Sequence, residues 1–309
     1  MSAEVETMFY TREKPWHGLG TRVEEAPDSE AALLYAGLNW RVVQKDIYTG
    51  GERIEGFKAN VRDSDNKVLG VVTERYKVVQ NSEAFAFTDA LLGHGVRYET
   101  AGALQEGRKV WMLAKLPQEY IITGERITPY LVFYNSHDGS SCIRVAMTPI
   151  RVVCSNTLNL ALRTAQRSWA MKHTGNIESK MQEAEETLFL SEKYMDALGK
   201  EIEELRKKKL SDRTVLDYIQ ALCPLDDGMS EQQKKNVTRL REDLKLRYFD
   251  APDLQDVGNN AYRFINAVSD FATHMEPLRM TAGYKENLFM RTMDGNPVID
   301  KAYQMVKAA

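Results

Sequence analysis

Thr148-Pro149-Ile150-Arg151-Val152-Val153-Cys154-Ser155-Asn156-Thr157-Leu158 is the stretch on which the fold turns. Upstream of it the apolar residues alternate; downstream they recur every three or four positions. The stretch therefore predicts a strand running into a helix over Arg151–Leu162. Ser155, Asn156 or Thr157 can cap that helix, because each side-chain oxygen can accept from an orphan N–H of the first turn. Leu158, Ala161, Leu162, Ala165 and Trp169 share its apolar face, with Asn159, Arg163, Gln166 and Arg167 mainly on the other.

Working upstream, residues 39–154 read as strands. Trp40–Gln44 alternates and is rich in β-formers, and Tyr48-Thr49-Gly50-Gly51-Glu52 supplies a turn. Phe57–Arg62 and Val68–Thr73 flank Asp63–Lys67, a hairpin signature. Val96–Ala101, Arg108–Leu116, Tyr130–Asn135 and Cys142–Pro149 follow, the last after a turn at Asp138-Gly139. Ser82–Leu92 interrupts them with a helical pattern that places Phe85, Ala86, Ala90 and Leu91 near one face.

Working downstream, Ile177, Met181, Ala184, Leu188, Ser191, Met195, Leu198, Ile202 and Leu205 are spaced alternately by four and three. That is a heptad seam with one polar break, on a helix of about 50 Å at about 1.5 Å per residue. It suits packing within its own domain or contact between subunits. Acids at Glu183, Glu185 and Glu186 and the run Arg206–Lys209 match the helix dipole. Further helices are expected at Ser211–Leu222, Ser230–Phe249 and Asn259–Met275, with Pro224 and Pro252 at the breaks.

The fold class is therefore α+β: an N-terminal, mostly antiparallel sheet with one or two packed helices, then an all-helical part. The expected domains are a 1–175 α+β core and a 176–309 helical region, in which the long helix 176–209 precedes three or four shorter ones. The 309 residues, 43% hydrophobic and 28% charged, suffice for a sizeable core. No stretch approaches the roughly 18 uncharged apolar residues of a membrane span. The start Met1–Glu6 is acidic and polar, unlike a signal peptide, so a cytoplasmic protein without membrane contact is expected.

Chemistry is harder to find. Cys142, Cys154 and Cys223 are odd in number and lack a C-x-x-C pair, which argues against a disulfide or zinc site. Gly51–Gly56 is followed by Phe57, where a P-loop needs lysine, and Gly18-Leu19-Gly20 lacks the remaining dinucleotide spacing. Ser136-His137-Asp138 sets hydroxyl, imidazole and carboxylate side by side, but neighbours in a hairpin point apart and cannot relay a proton. Glu106 and Lys109 only loosely fit a metal-dependent nuclease. No catalytic residue, metal or cofactor is assigned.

A net charge of −3 gives no global case for nucleic acid, so any case rests on local clustering. Arg144, Arg151, Arg163, Arg167, Lys172 and Lys180 fall in a segment whose only acid is Glu178. A helix start beyond Arg151, with Asn156 in its first turn, is a natural anion site. Arg163 and Arg167 are i, i+4 neighbours, and Lys172 and His173 extend the strip. A solvated basic face explains the same residues. Lys14-Pro15-Trp16-His17-Gly18 is a second candidate: Trp16 and His17 could stack on a base, with Lys14 on a phosphate. Alternatively Trp16 plugs the core.

Pro15–Thr21, Leu69–Val72, Tyr76–Asn81, Asp138-Gly139, Arg151–Leu158 and Asn266–Phe271 occur in that order. In these motifs the chain resembles the phage/plasmid-like protein family, defined by a domain of unknown function numbered 932. Ser155 departs from the small residue, such as alanine, expected there. The resemblance implies a mobile-element origin beside replication and recombination functions, and no established activity or cofactor. The leading expectation is a non-catalytic single-stranded-DNA-binding or strand-annealing protein that assembles as a homo-oligomer. The alternative is a protein-interaction module, a host-takeover or anti-defence factor without nucleic-acid binding.

Overall fold

The computed structural model describes residues 5–11, 21–92, 97–116, 118–151, 156–157, 168–176, 191–275 and 295–308. Two compact units emerge, and the chain passes between them more than once. The first comprises Met1–Gln118, Pro129–Met147 and Arg167–Ser191; the second comprises Glu119–Thr128, Thr148–Gln166 and Glu192–Ala309.

The first unit opens with β1 (Val5–Tyr10), β2 (Thr21–Arg22) and helix α1 (Ser29–Tyr35), which starts where Asp28 accepts from the Ala31 N–H at 3.0 Å. Three strands follow, β3 (Val42–Thr49), β4 (Glu52–Arg62) and β5 (Val68–Thr73), forming their own antiparallel sheet in that order. Both of its turns were legible: Gly50 and Gly51 take φ of 57° and 90°, the two-residue geometry that suits the strands' twist. At the other turn Asp65 accepts from the Lys67 N–H and Asn66 adopts φ 59°.

Helix α2 (Asn81–Leu92) then leads to β6 (Arg97–Leu104) and β7 (Lys109–Lys115). The inward face of α2 is not the expected one. Asn81, Ala84, Phe85 and Thr88 are buried at helical spacing, whereas Ala86 and Ala90 are exposed. Two more strands, β9 (Glu125–Ser136) and β10 (Ile143–Arg151), continue the large sheet after a short β8 (Tyr120–Ile122) that belongs to the second unit. Its order within the first unit runs β10-β9-β7-β6-β1-β2. The core lies between this sheet and α1 and α2: Phe9, Ala101, Val110, Met112, Phe133 and Val145 meet Ala32, Ala36, Ala84 and Phe85.

The strand-to-helix junction needs correction. Asn156–Thr157 is a short strand, β11, whose backbone pairs antiparallel with Ile150 and Arg151. Ser168–Met171 is another, β12, with Trp169 opposite Val145 on β10. Trp169 therefore obeys the period of two, not the helical period assigned to it. The remaining residues of the expected helix, 158–167, lie outside the described residues. Pro149 falls on β10 between the residues paired to β12 and those paired to β11.

Among its described residues the second unit is mainly helical, with β8, β11 and the adjoining ends of β9 and β10. Its described α-helices are α3 (Ser191–Lys207), α4 (Asp212–Leu222), α5 (Glu231–Phe249), α6 (Ala261–His274) and α7 (Pro297–Ala308), with a 3-10 helix at Pro252–Val257. Ser211, Ser230 and Asn260 cap α4, α5 and α6, and Ser230 with Gln233 forms a full capping box. Helix α6 is buried on nearly every side. On α3 the seam residues Met195, Leu198, Ile202 and Leu205 are buried within the single chain. The seam from Ile177 to Leu188 lies outside the described residues. Glu125 ties these elements together, accepting from Arg206 at 2.7 Å and from the Tyr262 hydroxyl at 2.9 Å. Among the described residues, no helix is long and apolar enough to cross a membrane.

Candidate functional site

In the first unit β9 ends in a loop, Ser136–Ser141, that the surrounding chain holds by polar contacts. Ser136 Oγ donates to Asp138 Oδ1 at 2.6 Å, the Ser140 N–H donates to the same oxygen at 2.9 Å, and Gly139 turns the chain at φ 76°. Neighbouring segments clasp the loop from outside. Asn60 donates to the His137 carbonyl at 2.7 Å, and the buried Tyr76 hydroxyl donates to the Ser136 carbonyl. Gly70 permits the close approach of β5: a Cβ there would stand 2.5 Å from Asp138 Cα.

His137 is fully buried, edge-on to Trp40 with ring centroids 5.4 Å apart. Its Nε2 stands 3.0 Å from Asn81 Oδ1. Asn81 Nδ2 donates to the Leu38 and Trp40 carbonyls, so Oδ1 accepts and His137 carries its proton on Nε2. His173 is 4% exposed and stacks on Tyr76 at 4.4 Å and 13°. Its Nδ1 faces the Lys77 carbonyl at 3.0 Å, an acceptor only, so Nδ1 carries that proton. The Lys77 N–H returns a bond of 2.7 Å to the His173 carbonyl.

The electrostatics follow from burial. Burial, helped by nearby His173 and opposed by Asp138, drives His137 down to about 3. Burial also lowers His173, against the Lys77 carbonyl and Asp138. Burial alone would raise Asp138; the Ser136 hydroxyl and the Ser140 contacts outweigh it and hold the carboxyl below its usual range. Tyr76 is raised by burial and by Asp138. Ser136 and Asp138, two positions apart, thus do touch, but His137 between them points away to Asn81. Its imidazole has no hydroxyl to activate. Among the described residues, no group of three or more His, Cys, Asp or Glu is placed to hold a metal ion.

The cluster has a charged outer edge. Along Arg75-Tyr76-Lys77 and Lys172-His173-Thr174 the pattern is exposed, buried, exposed in both segments. The inward Tyr76 and His173 stack, so Arg75, Lys77 and Lys172 are left facing solvent. None of the three has an ion-pair partner among the described residues. Residues 168–176 contain no acid, and the one acid of residues 73–80, Glu74, is engaged by Arg53 at 2.8 Å.

Of the residues singled out in the sequence, Lys172 lies on this edge and is exposed. His173 is beneath it and does not continue a solvent-facing strip. Arg151 and Asn156 are backbone partners between β10 and β11, so Asn156 lies in a strand and not in the first turn of a helix. Arg163, Arg167, Lys14, Trp16 and His17 lie outside the described residues. Arg75 and Lys77 were missed; their signal was the alternation around Tyr76, in a segment read only for its motif.

A separate cleft of about 530 Å³ is lined by Glu6, Trp40, Arg62, Asp63 and Asp65. Arg62 fills its polar role internally, paired with Asp65 at 2.7 Å and Glu6 at 2.8 Å and lying over Trp40. Those carboxylates raise the guanidinium, and Arg62 in turn holds Asp65 at about 2.

The chain belongs to the family described as Domain of unknown function (DUF932), whose profile matches residues 68–293. Five of the motifs quoted above fall inside that span, and Pro15–Thr21 precedes it. Leu69–Val72, Tyr76–Asn81 and Asp138-Gly139 meet in the polar cluster. No curated protein and no solved structure matches the chain.

Proposed function

We propose that this chain is a non-catalytic DNA-handling protein of a phage or other mobile element, binding single-stranded DNA during recombination or replication. Arg75, Lys77 and Lys172 contact the phosphate backbone. The observation that carries this reading is the edge itself: three exposed cations, without ion-pair partners among the described residues, on two segments clasped together in a chain of net charge −3. An acidic protein that binds a polyanion needs such a local concentration of positive charge. Arg151, Arg163 and Arg167 are further cations for a phosphate backbone, Trp16 and His17 stack on a base, and Lys14 meets its phosphate. Assembly into a homo-oligomer, the form that strand annealing needs, falls to the heptad residues Ile177–Leu188, because Met195, Leu198, Ile202 and Leu205 are already buried within the single chain. The protein works in the host cytoplasm.

A salt titration of oligo(dT) binding tests this. Three phosphate contacts on a single strand give a log–log slope of about −2, at roughly 0.7 per contact, and further contacts steepen it. Binding indifferent to salt, or no binding at low salt, refutes the proposal.

One observation favours a protein-interaction module instead. Val43, Phe57, Val68 and Val71 are exposed on the β3–β4–β5 sheet. A stoichiometric host protein retained from nuclease-treated lysate, without oligonucleotide binding, supports that reading.

A further inference from the structure

We infer that His137 and His173 form a proton-operated latch that holds the Lys172–Thr174 segment against Tyr76-Lys77, and so assembles the basic edge only while both rings are neutral. The latch's consequence for DNA rests on the phosphate-binding reading above; its mechanism does not.

Each ring spends its single N–H on a fixed acceptor, His137 on Asn81 and His173 on the Lys77 carbonyl. The other nitrogens, His137 Nδ1 and His173 Nε2, are buried lone pairs with no hydrogen-bond partner among the described residues. A proton arriving at either would create a buried imidazolium whose new N–H has nothing to bond. The surroundings offer little relief. From the loop, Asp138 is the one carboxylate acting on both rings, and the Ser136 and Ser140 contacts already occupy its Oδ1. From the Trp40 side come an indole edge and Asn81, both neutral. From β4 comes the Asn60 amide, and from residues 73–80 the Tyr76 ring. Arg75, Lys77 and Lys172 on the same two segments are cations, and a second ring proton would add to their repulsion.

The sign follows. An opened or unfolded histidine takes up its proton near pH 6.5, whereas the buried rings resist, His137 down to about 3. Latch stability is therefore complete above about pH 6.5 and falls as the pH drops below it, by up to about tenfold in the opening equilibrium per pH unit for His137 and in the same direction for His173. Opening unstacks Tyr76 from His173 and breaks both bonds between Lys77 and His173, which separates Lys172 from Arg75 and Lys77.

Hydrogen exchange of the full chain between pH 7.5 and 4.5, corrected for intrinsic rates, reads this directly. Protection of residues 73–80 and 172–174 is expected to fall steeply below pH 6.5 while the β6–β7 amides stay protected. His173→Phe keeps a ring on Tyr76 but cannot be protonated, so its edge should lose protection less steeply as the pH falls, whatever its starting stability. Protection independent of pH, loss in step with β6–β7, or an unchanged slope in His173→Phe overturns the latch. Oligo(dT) binding at pH 7.5 and 5 separates the two claims. Acid makes the protein more positive and by charge alone strengthens binding, so weaker binding at pH 5 supports the latch and stronger binding contradicts it. Absence of binding at both pH values refutes the phosphate-binding edge, and the exchange data then decide the latch.

Discussion

Asn81→Leu is expected to destabilise the chain by about 3–5 kcal/mol, read as a drop in urea midpoint at unchanged slope. Asn81 is 1% exposed and closes three contacts: its Nδ2 donates to the Leu38 and Trp40 carbonyls, at 3.0 and 3.5 Å, and its Oδ1 accepts from His137. Leucine keeps the volume and removes all three. The His137 N–H and the Leu38 carbonyl are then buried without partners, each at about 1–3 kcal/mol. The longer contact to Trp40 adds little, and the apolar gain of leucine offsets part of the loss. A loss below about 1 kcal/mol would mean that Asn81 does not hold the loop at His137.

Reversing the basic edge, with Arg75→Glu, Lys77→Glu and Lys172→Glu together, is expected to cost about a hundredfold or more in oligo(dT) affinity at low salt. The slope against log salt should flatten by about 2, because three phosphate contacts release no counterions. The fold should tolerate the change, since all three side chains are exposed and unpaired among the described residues. Arg53→Gln with Lys58→Gln is the control. Those cations are already committed to Asp46 and Glu74, so neutralising them should leave DNA affinity within about threefold.

What the sequence revealed was local. The hairpins at Gly50-Gly51 and Asp63–Lys67 and the helix starts at Ser211 and Ser230 are written in a few adjacent residues. Burial direction was less legible. Ala84 and Thr88 face inward on α2 while Ala86 and Ala90 do not, because one turn of a mainly apolar helix offers more than one apolar stripe. Strand β1 escaped notice because its pairing is remote, Met8 lying opposite Gly102. Trp169 fits both periods, and only its partner Val145 decides between them. The basic edge was illegible for the same reason. Lys77 and His173 are separated by 96 positions, and no local pattern joins them. The basic strip read along one helix pointed to Lys172, but its partners come from the segment after β5.

The central claim is that the motifs around Tyr76 and His173 present a phosphate-binding edge. Lysine acetylation with and without saturating oligo(dT), mapped by mass spectrometry, tests it most directly. Lys77 and Lys172 should lose reactivity together when DNA is bound, while Lys45 and Lys58 on the three-stranded sheet stay as reactive as before. Lys77 and Lys172 remaining fully reactive in the presence of bound DNA would contradict the claim.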